Sequence, residues 1–186
     1  MASDRIVTVP NILSFVRLIL AIVFFVAFEQ GRAAAAFWLF VVAASTDWVD
    51  GWYARRFGQV SRLGRIFDPL VDKVIVCGAW VLLSAAGTAI APWMALVVTV
   101  RELMVTAIRA EMEKAGHDFS AALSGKLKMV LQCLAVATVL GALAWPGLAP
   151  AGLPLTTVAP WLTWAAVAAT IWSGFEYLVA ARSLVR

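Results

Sequence analysis

Four aspartates stand within the segment DWVDGWYARRFGQVSRLGRIFDPLVD, residues 47–72. Asp47 and Asp50 are three apart, Asp68 and Asp72 four apart. On helical backbone each pair projects from one face. If a short loop joins the two helices, they are antiparallel neighbours and the four carboxylates converge on one cavity. Converging carboxylates repel unless positive charge lies between them. Hard divalent cations take carboxylate oxygens. Two Mg²⁺ or Mn²⁺ ions bridged by these side chains would neutralise the cluster and keep positions open for a phosphate-bearing ligand. Gly51 and Ala54 leave room for a close approach to the backbone. One turn beyond Gly51, Arg55 has a guanidinium suited to clamping a phosphate oxygen, and Gly64 is expected to shape the loop. A helix-end decoration of ion pairs with Arg55 and Arg56 would account for one such Asp more readily than for four.

The elements that must position these groups are apolar. Of 186 residues, 63% are hydrophobic and 14% charged, and the mean hydropathy is +0.90. An ordinary soluble chain is about half apolar and about a quarter charged. The composition excludes a disordered chain, a disulfide-stapled secreted scaffold and a cytosolic enzyme, and implies an integral membrane protein. A span takes roughly 20 residues, so about six or seven is the ceiling. We expect an all-α polytopic bundle of six transmembrane helices forming one domain over 1–186. The helices are placed at Asn11–Phe28, Ala33–Phe57, Asp68–Ala86, Pro92–Ala115, Ala121–Trp145 and Thr157–Ser183, with Pro10-Asn11 as breaker and cap and Pro146–Pro154 as a loop. The first lacks a small-residue cleavage site and reads as a retained span. Cys77 and Cys133 lie in apolar stretches and read as small packing residues.

Loop charge gives the orientation, because Lys and Arg flanking a span stay cytoplasmic. Arg5, Arg55, Arg56, Arg62, Arg65, Lys114, Lys126, Lys128, Arg182 and Arg186 fall on one side of a six-span chain, whereas Arg32 alone falls on the other. Both termini and the four aspartates are therefore expected at the cytoplasmic face of the inner, cytoplasmic membrane. The net charge of +4 is this anchoring asymmetry and implies no nucleic-acid partner. Trp38, Trp93, Trp145 and Trp161 read as interfacial belt residues. His117 reads as a surface residue, while Glu176, inside the last span, fits either a cation from another helix or a dimer contact.

The segment resembles the signature of the CDP-alcohol phosphotransferase family, Asp-x2-Asp-Gly-x2-Ala-Arg-x8-Gly-x3-Asp-x3-Asp. It matches at Asp47, Asp50, Gly51, Ala54, Arg55, Gly64, Asp68 and Asp72. The family has a six-helix fold, in agreement with the span count. The resemblance implies a two-metal site ligated by Asp47, Asp50, Asp68 and Asp72, with Asp72 also taking the proton from an acceptor alcohol. It implies contacts to the CDP moiety from Gly51, Arg55 and Ser61, joined by Asn11 and Ser14, and a homodimer among membrane lipids.

The acceptor is read from the second half. Arg101 lies deep in the fourth span with Arg109 two turns later on nearly the same face, and Lys126 and Lys128 begin the fifth. Converging cations beside an anionic site suit a negatively charged acceptor such as a phosphorylated polyol. Lys114 and Lys128 fit interfacial anchors equally well, and Glu102 is expected to point elsewhere than Arg101. PNILSFVR (10–17), Val100–Arg109 and GKLKMVLQ (125–132) resemble the bacterial family members that move a phosphatidyl group from CDP-diacylglycerol to sn-glycerol 3-phosphate. That resemblance adds Arg17 to Arg101, Arg109 and Lys126 as acceptor-phosphate contacts; Met129 departs from it, standing where Thr is usual. Serine, inositol phosphate or phosphatidylglycerol are the other acceptors within the family. Outside it stand an intramembrane prenyltransferase, which generally has two separated Asp-rich motifs, and a divalent-cation transporter, which usually has internal repeats.

Overall fold

The computed structural model describes the backbone of residues 9–57, 64–114 and 123–182, and the side chains of 15–46, 71, 73–112 and 123–182. Among the described residues there are six long helices and no strand. They are α1 (Val9–Glu29), α2 (Ala33–Phe57), α3 (Gly64–Ala85), α4 (Pro92–Lys114), α5 (Leu123–Ala144) and α6 (Leu155–Ala181), with a short 3₁₀ turn at Pro150–Gly152. Two starts differ from expectation. Helix α1 begins at Val9, ahead of Pro10, because a proline in the first turn has no intrahelical N–H bond to lose; Asn11 is helical and not a cap. Helix α3 begins at Gly64, so this glycine opens the helix instead of shaping the loop.

The turns on the far side from the aspartates are set by glycine. After α1, Gly31 has φ 72°, its N–H bonds the Phe28 carbonyl and the N–H of Arg32 bonds that of Ala27. Gly87 has φ 67° and closes α3 in the same way onto Ser84 and Leu83. Both are Schellman caps, which need a left-handed residue that glycine supplies without strain.

The helices close a ring: α1 packs on α2, α2 on α5, α5 on α6, α6 on α4, α4 on α3, and α3 on α1. Small residues face inward, among them Ala21, Ala36, Ala43, Ala79, Ala135 and Ala166, all fully buried, and large plugs such as Phe24, Phe40, Trp80 and Leu83 fill the centre. Such alternation lets helices approach closely without a hydrophobic driving force between them. Specific pairs fix the register. Phe24 meets Phe40 at 5.8 Å between ring centroids, Gly78 lies under the Phe25 ring, and Gly141 lies against Phe37 and Leu155. The outer face is apolar: Leu123 is 83% and Trp161 75% exposed, with Phe175, Trp172 and Leu96 close behind. A surface of this kind is solvated by lipid. Among the described residues α5 and α6 are each long and apolar enough to cross a bilayer, and α2 and α3 have shorter apolar stretches at Ala33–Thr46 and Lys73–Ala85.

Candidate active site

Helical backbone runs through Asp47, Asp50, Gly51, Ala54 and Arg55 at the end of α2 and through Asp68 and Asp72 at the start of α3. The three- and four-residue spacings therefore fall on helices, and α2 and α3 touch one another and both touch α1. The side chains of these residues, and those of Asn11 and Ser14 in α1, lie outside the described set, as do Ser61 and His117 altogether.

Register locates their level in the bundle. Arg17 is seven residues before Phe24 in α1, and Asp47 seven after Phe40 in the antiparallel α2, so both stand roughly 10 Å from the Phe24–Phe40 contact. Asp72 is six residues before Gly78, itself level with Phe25, which puts it within roughly 3 Å of the same height. Arg17 is 3% exposed: a buried cation stands at the height of the carboxylates, on the helix that packs against both of theirs.

A second polar group is built by α4, α5 and α6. Lys128 Nζ bonds Glu102 Oε1, and Arg101 Nη1 donates to the same oxygen at 3.2 Å. Arg101 Nη2 donates to Ser173 Oγ at 2.5 Å, and its guanidinium carbon lies 5.5 Å from the Tyr177 ring centroid. Gly174 makes room for the Arg101 stem: an added Cβ would come within 3.2 Å of Arg101 Cγ. Arg101, Glu102 and Lys128 are 7%, 9% and 4% exposed, so this is an interior network of two cations around one carboxylate. Arg101 Nε makes no hydrogen bond, nor does the buried Ser124 Oγ, one turn before Lys128 in α5. One turn deeper, Gln132 Nε2 donates to Thr170 Oγ1 at 2.8 Å.

The network lies beside the aspartates. Cys77 of α3 interacts with Thr99 of α4 and lies within electrostatic reach of Glu102 and Lys128. Asp72 is five residues from Cys77 and Glu102 three from Thr99, in the same direction, so the carboxylate network is roughly 3 Å deeper than Asp72. Of the cations expected to meet the acceptor, Arg17 and Arg101 are buried, Arg109 is half-buried, and Lys126 is exposed. Lys128 is the buried lysine of α5. Glu102 does not point away from Arg101: neighbours on a helix diverge by about 100° at Cα, but both side chains are long enough to meet. Glu176 accepts from Trp172 Nε1 at 2.9 Å on the outer face. The sequence carries a signal for the members of this network beyond Arg101. Lys128 and Gln132 share a face of α5 at i,i+4, as do Ser173 and Tyr177 of α6.

Comparison with known proteins fixes the family. A family model described as CDP-alcohol phosphatidyltransferase matches residues 7–172. The chain belongs to this family. Its relatives include the CDP-diacylglycerol–glycerol-3-phosphate 3-phosphatidyltransferases of Escherichia coli (strain K12), 36% identical over 94% of this chain and 95% of theirs, and of Sodalis glossinidius, 34% identical over 94% of each. That of Bacillus subtilis (strain 168) is 37% identical over 75% of this chain and 69% of its own. The protein is thus a membrane transferase of phospholipid synthesis, of a CDP-alcohol phosphatidyltransferase family that uses divalent metal ions.

Proposed function

We propose that the protein transfers the phosphatidyl group of CDP-diacylglycerol to sn-glycerol 3-phosphate, releasing CMP and phosphatidylglycerophosphate. The observation that carries this reading is the buried pair of cations, Arg101 and Lys128, one half-turn below the level of the aspartates, where an anionic acceptor can be held beneath the donor diphosphate. The names of the relatives, aligned over nearly the whole chain, support the same donor and acceptor.

In this reading Asp47, Asp50, Asp68 and Asp72 hold two Mg²⁺ or Mn²⁺ ions; an all-carboxylate donor set suits hard cations. When bound, these ions neutralise the diphosphate and the departing CMP. Asn11, Ser14, Gly51, Arg55 and Ser61 hold the CDP moiety. Arg17, Arg101, Arg109 and Lys126 attract the acceptor phosphate, joined by Lys128, with Arg17, Arg101 and Lys128 as its buried contacts. Asp72 accepts the proton of the acceptor hydroxyl, whose oxygen attacks the lipid-side phosphorus as the bond to CMP breaks. Positioning and charge neutralisation supply most of the rate, as in other phosphoryl transfers.

The chain acts as one domain over 1–186 with six spans, both termini cytoplasmic, in the inner membrane, and as a homodimer. A site at the cytoplasmic end meets a donor dissolved in the bilayer and an acceptor dissolved in water. The test is CMP release by purified protein with CDP-diacylglycerol and Mg²⁺, offering glycerol 3-phosphate, serine, inositol phosphate or phosphatidylglycerol in parallel. Metal-dependent CMP with glycerol 3-phosphate alone is expected. CMP with another alcohol overturns the acceptor, and none with any overturns the reaction.

A further inference from the structure

We propose that Glu102 is a positioning residue for the acceptor: it holds Arg101 and Lys128 at a fixed separation, so that an anionic phosphate meets a preset pair of cations instead of two mobile ones. The inference rests on the reading above and names what sets the geometry of its acceptor pocket.

Two cations brought to one carboxylate repel each other, and inside a bundle they are poorly screened. Here one oxygen, Glu102 Oε1, receives both Lys128 Nζ and Arg101 Nη1, which ties α5 to α4 at this height. Arg101 is pinned a second time by Ser173 Oγ, with Gly174 opposite its stem, so the guanidinium is tied to α6 as well. The three charged groups carry two positive charges and one negative, leaving one cation's worth of charge unbalanced among them. Donor capacity is also left over: Arg101 Nε is buried without a hydrogen bond, and an ammonium has three donors. Ser124, one turn before Lys128 on the same face, has a buried hydroxyl without a hydrogen bond. A phosphate oxygen set among these atoms would satisfy them. A glutamine at 102 keeps the shape but removes the charge that holds the lysine in place.

The experiment measures steady-state CMP release for the wild type, Glu102→Gln, Glu102→Asp, Lys128→Met and the double variant Glu102→Gln/Lys128→Met, varying donor and acceptor separately. Glu102→Gln is expected to raise the KM for glycerol 3-phosphate about ten- to a hundredfold, as misplaced contacts do, while the KM for CDP-diacylglycerol stays within about twofold. Glu102→Asp, with its charge kept on a shorter stem, is expected to recover part of the loss. Should the single neutral variant not fold, Glu102→Asp carries the test: its shorter stem displaces the charge, so its acceptor KM is expected to rise while its donor KM holds, and an unchanged acceptor KM overturns the proposal. Once Lys128 is gone, the change at 102 has a much smaller effect on the acceptor KM. Unchanged acceptor KM in folded Glu102→Gln, or additive effects in the double variant, overturn the proposal. A merely structural Glu102 would lower the yield of folded enzyme and leave both KM values in place. Failure of the wild type to release CMP with glycerol 3-phosphate overturns the acceptor reading instead.

Discussion

Asp72 is assigned two tasks, metal ligand and proton acceptor, and a single atom change separates them from mere packing. Asp72→Asn keeps volume and removes basicity, so CMP release is expected to fall about 10²- to 10⁴-fold, in protein that still elutes as a folded species from a sizing column. Turnover near the wild-type value would show that another group takes the proton. The metal reading makes a separate demand. EDTA is expected to abolish CMP release and excess Mg²⁺ to restore it, while Asp47→Asn is expected to need more Mg²⁺ for half-maximal rate; a metal-independent rate would remove the aspartates from the chemistry. At this scale the sequence was most explicit, since the spacing of Asp47, Asp50, Asp68 and Asp72 is itself the geometric information. It was least explicit for Lys128. A lysine near a helix end reads equally as an anchor or a ligand until Glu102, from the preceding helix, is found beside it.

Helices were legible to within a few residues because apolar runs of about 20 residues leave little choice of element, and Gly31 and Gly87 mark stops that only a left-handed residue makes. Neighbour relations beyond the α2–α3 pair were not. That α2 packs on α5, and α4 on α6, follows from which faces carry the alanines and glycines, and an almost uniformly apolar helix gives no such signal in one sequence. Gly78 illustrates the point. Its backbone lies against the Phe25 ring so closely that any Cβ there collides with the ring. Gly78→Ala, which in an exposed helix would add stability, is expected here to destabilise by about 1–3 kcal/mol through overpacking. Thermal unfolding in detergent checks it, with a raised melting temperature showing that the α1–α3 contact is looser than described.

For the molecule as a whole, the ring puts the carboxylate-bearing ends, Arg17 and the α4–α5–α6 network at one end. Trp38, Trp93, Trp145 and Trp161 stand near the opposite termini of their helices, Trp38, Trp93 and Trp161 with outward-facing rings. Loop charge predicts that the former end is cytoplasmic. A cysteine placed at Ser183 in a Cys77→Ala/Cys133→Ala background is expected to react with an impermeant maleimide only in inside-out vesicles, and one at Thr88 only in right-side-out vesicles; the reverse pattern would invert the orientation. The ring order also bears on how the chain is made. Helix α4 leaves the ribosome before α5 and α6, so Arg101 and Glu102 enter the membrane when Ser173 and Tyr177, more than 70 residues further on, have not yet been synthesised. Their mutual hydrogen bond at 3.2 Å lets the two neighbours neutralise each other during that interval. The network of Arg101, Glu102, Lys128 and Ser173 can therefore be complete only after translation has passed residue 173, because one of its members belongs to the last helix.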